Sequence, residues 1–354
     1  MIRHLIKSLN AHHLISRRLI SSTTTSNTPK MTTTTGSFRY VDPSTISPST
    51  KPWSKVDTAA TSYALTERHH TVTSIRDCLG LHTSSQRGAF GTDIDVAGFA
   101  VYNSPTASTR ATFESDASVR ANYYPEVEAL LRAKLENPKL NKKVAHVEIF
   151  DHTIRRHDPT SPRQPVQLVH VDQTPRAAEV RVRRHVKHVP EEEVDKMVRD
   201  RRWQLINVWR PIGHAATDFP LAVVDWRTTA PKDLVPVDLL YPVRTEGDDG
   251  DDRGKEVLPQ KGSEQSTEGY EVKGETYGVL PGEGEGHKFY YCKDMTPDEA
   301  MFIKCFDSWG EGQPRGRKGI AALTPHTAFV DPLTPEGTKG RESIEVRCLV
   351  FYEE

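Results

Sequence analysis

The 354-residue sequence is poor in cysteine: Cys78, Cys292, Cys305 and Cys348 are scattered, and no two form a CxxC pair. This argues against a disulfide-stapled scaffold and against a cysteine zinc site, and it fits a reducing compartment. Long apolar runs are missing as well. None approaches the ~20 residues that cross a bilayer as a helix, so no membrane is expected as partner. Nor is there an excess of charge, since 47 Lys and Arg against 48 Asp and Glu leave a net charge of −1. Without a basic surplus there is no general electrostatic ground for nucleic acid either. Carboxylates are absent before Asp42. In that stretch Arg3, Lys7, Arg17 and Arg18 alternate with Leu and Ile among Ser and Thr, the composition of a mitochondrial targeting segment. Met31, opening MTTTTGSFRYV, would serve equally as a start and would make the protein cytoplasmic. Residues 1–36 are therefore set aside as a targeting or disordered extension.

What is present is a run of short strand signals. Residues 37–68 are rich in Ser, Thr and Pro and read as an extended arm, followed by a single domain over 69–354. Within it, 144–150, 167–172, 204–210, 220–226, 288–292, 302–308 and 343–352 are β-branched or aromatic and bounded by turn residues. Helical spacing occurs at 122–134, with Val127, Leu130 and Leu131. It recurs at 190–202, where Pro190 and three glutamates open the helix and arginines close it. EVRVRRH (179–185) reads as an exposed basic strand face bearing Arg181 and Arg183. Residues 245–286 read as a solvated acidic, glycine-rich insertion, because the aspartates lack the EF-hand spacing. Seven strands with few helices predict a mainly β fold with flanking helices, an antiparallel sandwich or barrel.

One constellation carries chemistry. His170 and Asp172 stand two apart in a strand-like run, so imidazole and carboxylate share a face. A second imidazole from a distant strand, His326 in TPHTAF, would complete a two-histidine, one-carboxylate set. Such a set leaves positions open for Fe(II), a chelating co-substrate and dioxygen. The plainer alternative is a satisfied interior His170 with Asp172 capping the QTP turn. Fifteen positions beyond His326 comes Arg341 in RES. Its guanidinium matches the distal carboxylate of 2-oxoglutarate, with the Ser343 hydroxyl on the same strand face. Arg347 has the same parity and competes for that role, while Glu342 and Glu345 read as surface charge on an edge strand. In NVWRPI, Asn207 and Arg210 offer hydrogen bonds to a bound acid and Trp209 a pocket wall, or else a core residue.

The ordered run HVDQTPRAAEVRVRRHV, INVWRPI, PLAVVDWR, DLVP, HKFYY, PDEAMFIKCFDS, PHTAF and RESIEVRCLVF resembles the fungal gibberellin-desaturase-like and aspergillic-acid-hydroxylase-like (AsaB, CmcJ-type) proteins, from about residue 70 onward. The resemblance implies a double-stranded β-helix (jelly-roll, cupin-like). It also implies an Fe(II), 2-oxoglutarate and dioxygen-dependent hydroxylase or desaturase of a small molecule in fungal specialised metabolism. Iron would fall on His170, Asp172 and His326, and the co-substrate on Arg341. Two departures stand out: the acidic insertion between Tyr241-Pro242 and HKFYY, and the N-terminal extension. Two other readings stay open. One is a catalytically silent metabolite-binding or accessory protein beside a companion biosynthetic enzyme. The other is an isomerase or hydrolase on the same barrel.

Overall fold

The structure, a computed structural model, describes residues 32–56, 58–76, 94–136, 142–161, 163–243, 266–284 and 286–353. Residues 1–31, Cys78, the glycines at 88 and 91, and the aspartates at 248–252 lie outside them. Fourteen strands are described: β1 (Thr33–Val41), β2 (Trp53–Lys55), β3 (Leu65–Ser74), β4 (Phe99–Asn103), β5 (Val144–Arg156), β6 (His170–Val171), β7 (Trp203–Pro211), β8 (Leu221–Val224), β9 (Leu234–Pro242), β10 (Tyr270–Val279), β11 (Phe289–Tyr291), β12 (Glu299–Asp307), β13 (His326–Ala328) and β14 (Glu342–Tyr352). Helices α1 (Tyr124–Leu135), α2 (Pro175–His185) and α3 (Glu191–Asp200) flank them. No described helix is long and apolar enough to cross a membrane.

The strands form two sheets, one of nine in the order β1-β3-β11-β8-β13-β6-β10-β9-β2 and one of five in the order β4-β12-β7-β14-β5. Pairing is antiparallel except for β11–β3 and β2–β9. An apolar layer joins their facing sides: Val223 and Leu221 of β8 pack with Phe99, Trp209, Met301 and Ile303 of the smaller sheet. Helix α1 covers the outer face of that sheet through Val127, Leu130 and Leu131. Helices α2 and α3 cover the end of its inner face, where Ala178, Val182, Val194 and Met197 meet Trp203, Leu349 and Phe351.

Three expectations need correction. The chain enters the fold at Thr33, earlier than residue 37, and the first part of the segment read as an extended arm is a paired strand of the core. In β1 every second residue is buried, including Phe38 and Tyr40, and the strand pairs with β3 along its whole length. The threonine run that looks like low-complexity sequence is made of β-branched residues suited to a half-buried strand. EVRVRRH is helical. The Thr174 hydroxyl accepts the Ala177 N–H at 3.2 Å, Pro175 takes the first turn, and Ala178, Val182 and Val186 recur every four residues on the buried side. Arg183 is exposed and bound to Glu179 and Asp195. Finally, the last part of the acidic segment is strand β10, paired with β9 and with β6 beside His170. Gly278 stands opposite His170 there, and a Cβ on it would lie 2.6 Å from Val41.

Candidate metal centre

Strand parity and pairing bring the three expected ligands together. His170 on β6 is registered directly against His326 on β13, and Asp172 follows two residues on. The two imidazole rings lie 4.5 Å apart. Asp172 Oδ1 is 3.3 Å from His170 Nε2 and 3.9 Å from His326 Nε2, so one oxygen faces both nitrogens. Each ring is held from behind: His170 Nδ1–H donates to the Leu168 carbonyl at 2.7 Å, and His326 Nδ1–H to that of Thr324 at 3.1 Å. Those bonds fix the ring orientations and turn both Nε2 atoms toward one point. The Thr324 hydroxyl in turn donates to the carbonyl of Gly98. A side chain at Gly98 (φ +90°) would collide with that hydroxyl at 2.2 Å.

Charge agrees with geometry. Burial opposes ionisation of Asp172, but the hydrogen bond from His170 and the charge of Arg347 hold its carboxyl well below the usual range. Burial and repulsion from His170 push the His326 imidazole down to about 4, so it is neutral. His170 is the converse: burial pulls it down, but Asp172 outweighs that and raises it. An ionised carboxylate with imidazole nitrogens that a metal can take is the donor set a divalent transition metal requires. The residues fit such an ion.

Arg341 is 2% exposed, and its Nη1 donates to the Phe219 carbonyl at 2.6 Å while its Nε has no hydrogen-bond partner. Burial and the nearby Arg155 charge lower its guanidinium to about 9, the mark of a buried cation short of counter-charge. It lies 5.6 Å above the Trp209 ring. Arg347 is the opposite case. Its guanidinium reaches Asp172 (3.3 Å), Asp151 (3.0 Å) and Glu345 (3.0 Å), and these carboxylates raise it in spite of burial.

Comparison with known proteins decides the family. Residues 38–351 match the Oxidoreductase/YMDC permease-like domain family. The Fe(II)/2-oxoglutarate-dependent dioxygenase nvfI of Aspergillus novofumigatus is 30% identical over 75% of this chain and 80% of its own. The chain belongs to the AsaB-like family of fungal Fe(II)/2-oxoglutarate oxidoreductases. Hydroxylase/desaturase poxK of Penicillium oxalicum is 31% identical over 70% of each chain. Hydroxylase/desaturase asaB of Aspergillus flavus is 39% identical over 43% of this chain, and that match spans 57% of the asaB length. The solved iron and alpha-ketoglutarate-dependent endoperoxidase NvfI superimposes with a TM-score of 0.64 at 25% identity, covering 90% of this chain and 98% of that one. The two facing sheets are the double-stranded β-helix of this AsaB-like family.

Other residues singled out in this AsaB-like chain divide by face. Asn207 Nδ2 donates to Asp172 Oδ2 at 2.7 Å, which leaves Oδ1 for the histidines; it orients a ligand and does not reach for a co-substrate. Asn207→Ala should therefore weaken Fe(II) binding by roughly 10–100-fold, measured by anaerobic titration, with the melting temperature little changed. Trp209 is buried below Arg341, and Ser343 is buried in β14 opposite Pro211 and Arg155. Arg210 is a correction, since it points to the other side of the sheet. There Nε donates to the Tyr123 hydroxyl at 2.9 Å and Nη1 to the Ser104 carbonyl at 2.7 Å. Arg210→Leu should destabilise the fold by about 1–3 kcal/mol for each acceptor left bare, read as a lower melting temperature. The 2-oxoglutarate KM of the folded variant should stay unchanged.

Sequence reasoning missed Glu345 and Arg155. β14 lies between β7 and β5, so Glu345 is interior to the sheet and Glu342 is buried. Burial and the Asp172 charge raise the Glu345 carboxyl. Arg155 on β5 pairs opposite Ser343 and donates to the Gln164 carbonyl at 3.2 Å. The signal was available for Glu345: it has the parity of both Arg341 and Arg347.

Proposed function

We propose that the protein is an iron- and 2-oxoglutarate-dependent hydroxylase or desaturase of a small-molecule metabolite, with Fe(II) on His170, Asp172 and His326 and the distal carboxylate of 2-oxoglutarate on Arg341. The observation that carries it is the convergence of two Nε2 atoms, on rings anchored to the backbone through Nδ1, on one ionised carboxylate oxygen. When bound, iron and 2-oxoglutarate supply oxidative decarboxylation by dioxygen, giving succinate and carbon dioxide while hydrogen leaves an unactivated C–H bond.

The chain's own residues bind and orient. His326 is walled in at 4% side-chain exposure, whereas His170 and Asp172 keep 18% and 13%, so access is from their side. Asn207 and Arg347 occupy Asp172 Oδ2 and keep Oδ1 free. Arg341 offers a buried charge and a spare N–H to an anion, and Trp209 backs it with an apolar face that excludes water. Arg347 already faces three carboxylates and has no charge to spare.

The test is succinate release. With Fe(II), 2-oxoglutarate and oxygen, screening small fungal metabolites should find compounds that accelerate it and that gain one oxygen atom or lose two hydrogens. No succinate under any condition, from protein shown to hold iron, would rule the proposal out in favour of an accessory role.

A further inference from the structure

A second His-x-carboxylate pair occurs on a strand, with a third imidazole nearby. His146 and Glu148 lie on β5, opposite Phe351 and Leu349, and two-residue spacing again points both to one face. His146 Nε2 is 3.3 Å from Glu148 Oε2, and His188 Nδ1 is 3.8 Å from that same oxygen. The two rings lie 4.3 Å apart, and one donor atom from each of the three residues falls within 4.8 Å of the others. Among the described residues, this group and the catalytic one are the two that meet that condition.

We propose that His146, Glu148 and His188 form a second metal site, for a borderline divalent cation of the zinc class. One carboxylate balances one imidazolium, yet two imidazoles face the same oxygen here. Two nitrogen lone pairs and one anionic oxygen suit zinc, cobalt(II) or nickel(II) and not the oxygen-seeking calcium or magnesium. Side-chain exposures of 30%, 28% and 45% leave water free to complete the coordination. The location gives the site a structural role. His188 lies in the connection between α2 and α3, whereas His146 and Glu148 are on the edge strand of the smaller sheet, so a shared ion cross-links the two. The link would hold the helix pair over Trp203, Leu349 and Phe351. It does not depend on the catalytic reading.

Zinc stoichiometry on the full chain tests it, using a chromophoric competitor. At micromolar free zinc, wild type should bind two equivalents, His188→Ala one, Asp172→Ala one, and the double variant none. Zinc should raise the melting temperature of Asp172→Ala, and the rise should vanish once His188 is also replaced. His188→Ala should keep wild-type succinate release. Equal stoichiometry in wild type and His188→Ala would overturn the proposal, as would no zinc on folded Asp172→Ala. If Asp172→Ala does not fold, the comparison of wild type with His188→Ala decides alone.

Discussion

Asp172→Ala should bind Fe(II) far more weakly than wild type and release no measurable succinate, while keeping its fold. The expected loss exceeds the roughly 10–100-fold that comes from removing a partner that only supports a ligand, because here the ligand itself goes. Among the described residues Asp172 is the one carboxylate grouped with both imidazoles, and Arg347 and Asn207 bind its other oxygen. Without it, two imidazoles converge with no anion, and the Arg347 charge remains nearby to repel a cation. His326→Ala should act alike, since its ring is pinned to Thr324 and has no second position from which to serve. Metal titration under argon, alongside circular dichroism, separates lost binding from lost fold. Tight iron binding by folded Asp172→Ala would contradict the assignment.

Arg341→Ala should leave iron binding intact and raise the 2-oxoglutarate KM by roughly 30–4,000-fold. That range reflects about 2–5 kcal/mol for truncating one partner of a buried charged contact, at about 1.4 kcal/mol per tenfold. The contrast with Arg347 makes the prediction specific. Arg347 is bound to Asp172, Asp151 and Glu345, so Arg347→Ala should disturb the metal ligand and lower iron affinity. Arg341 is a buried cation with a free N–H and a lowered guanidinium, so its loss should remove an anion site. Lysine should rescue it poorly, because one ammonium does not reproduce the planar fork. Steady-state succinate release against 2-oxoglutarate concentration measures both variants. An unchanged KM in Arg341→Ala would move the anchor to another cation, with Arg155, whose charge acts on Arg341, next in place.

The meeting of His170, Asp172 and His326 was legible because its evidence is local and periodic. The two-residue spacing of His170 and Asp172, the late His326 and the RES segment are patterns that a strand's geometry turns into convergence. The seven strand signals reappear as β5, β6, β7, β8, β11, β12 and β14, and helices α1 and α3 fall where spacing placed them. The failures share a cause, since tertiary context decides what local composition leaves open. EVRVRRH alternates like a strand, yet Thr174 and Pro175 start a helix and packing against the smaller sheet keeps it. The threonine run at 32–35 and the polar β10 become strands because a neighbouring edge waits for them. Glu345 was read as surface charge because the number of neighbours a strand will have is not written in its own residues, and Arg210 was given a binding role because strand parity does not say which face meets the pocket.

On the proposed assignment, His170, Asp172 and His326 hold one iron that also takes 2-oxoglutarate. Adding Fe(II) and then 2-oxoglutarate to the protein without oxygen should produce a visible metal-to-ligand charge-transfer band, saturating at one equivalent of each. The band should be lost in His170→Ala, Asp172→Ala and His326→Ala. A colourless titration with intact protein that holds one equivalent of iron, or an unchanged band in those variants, would contradict the account.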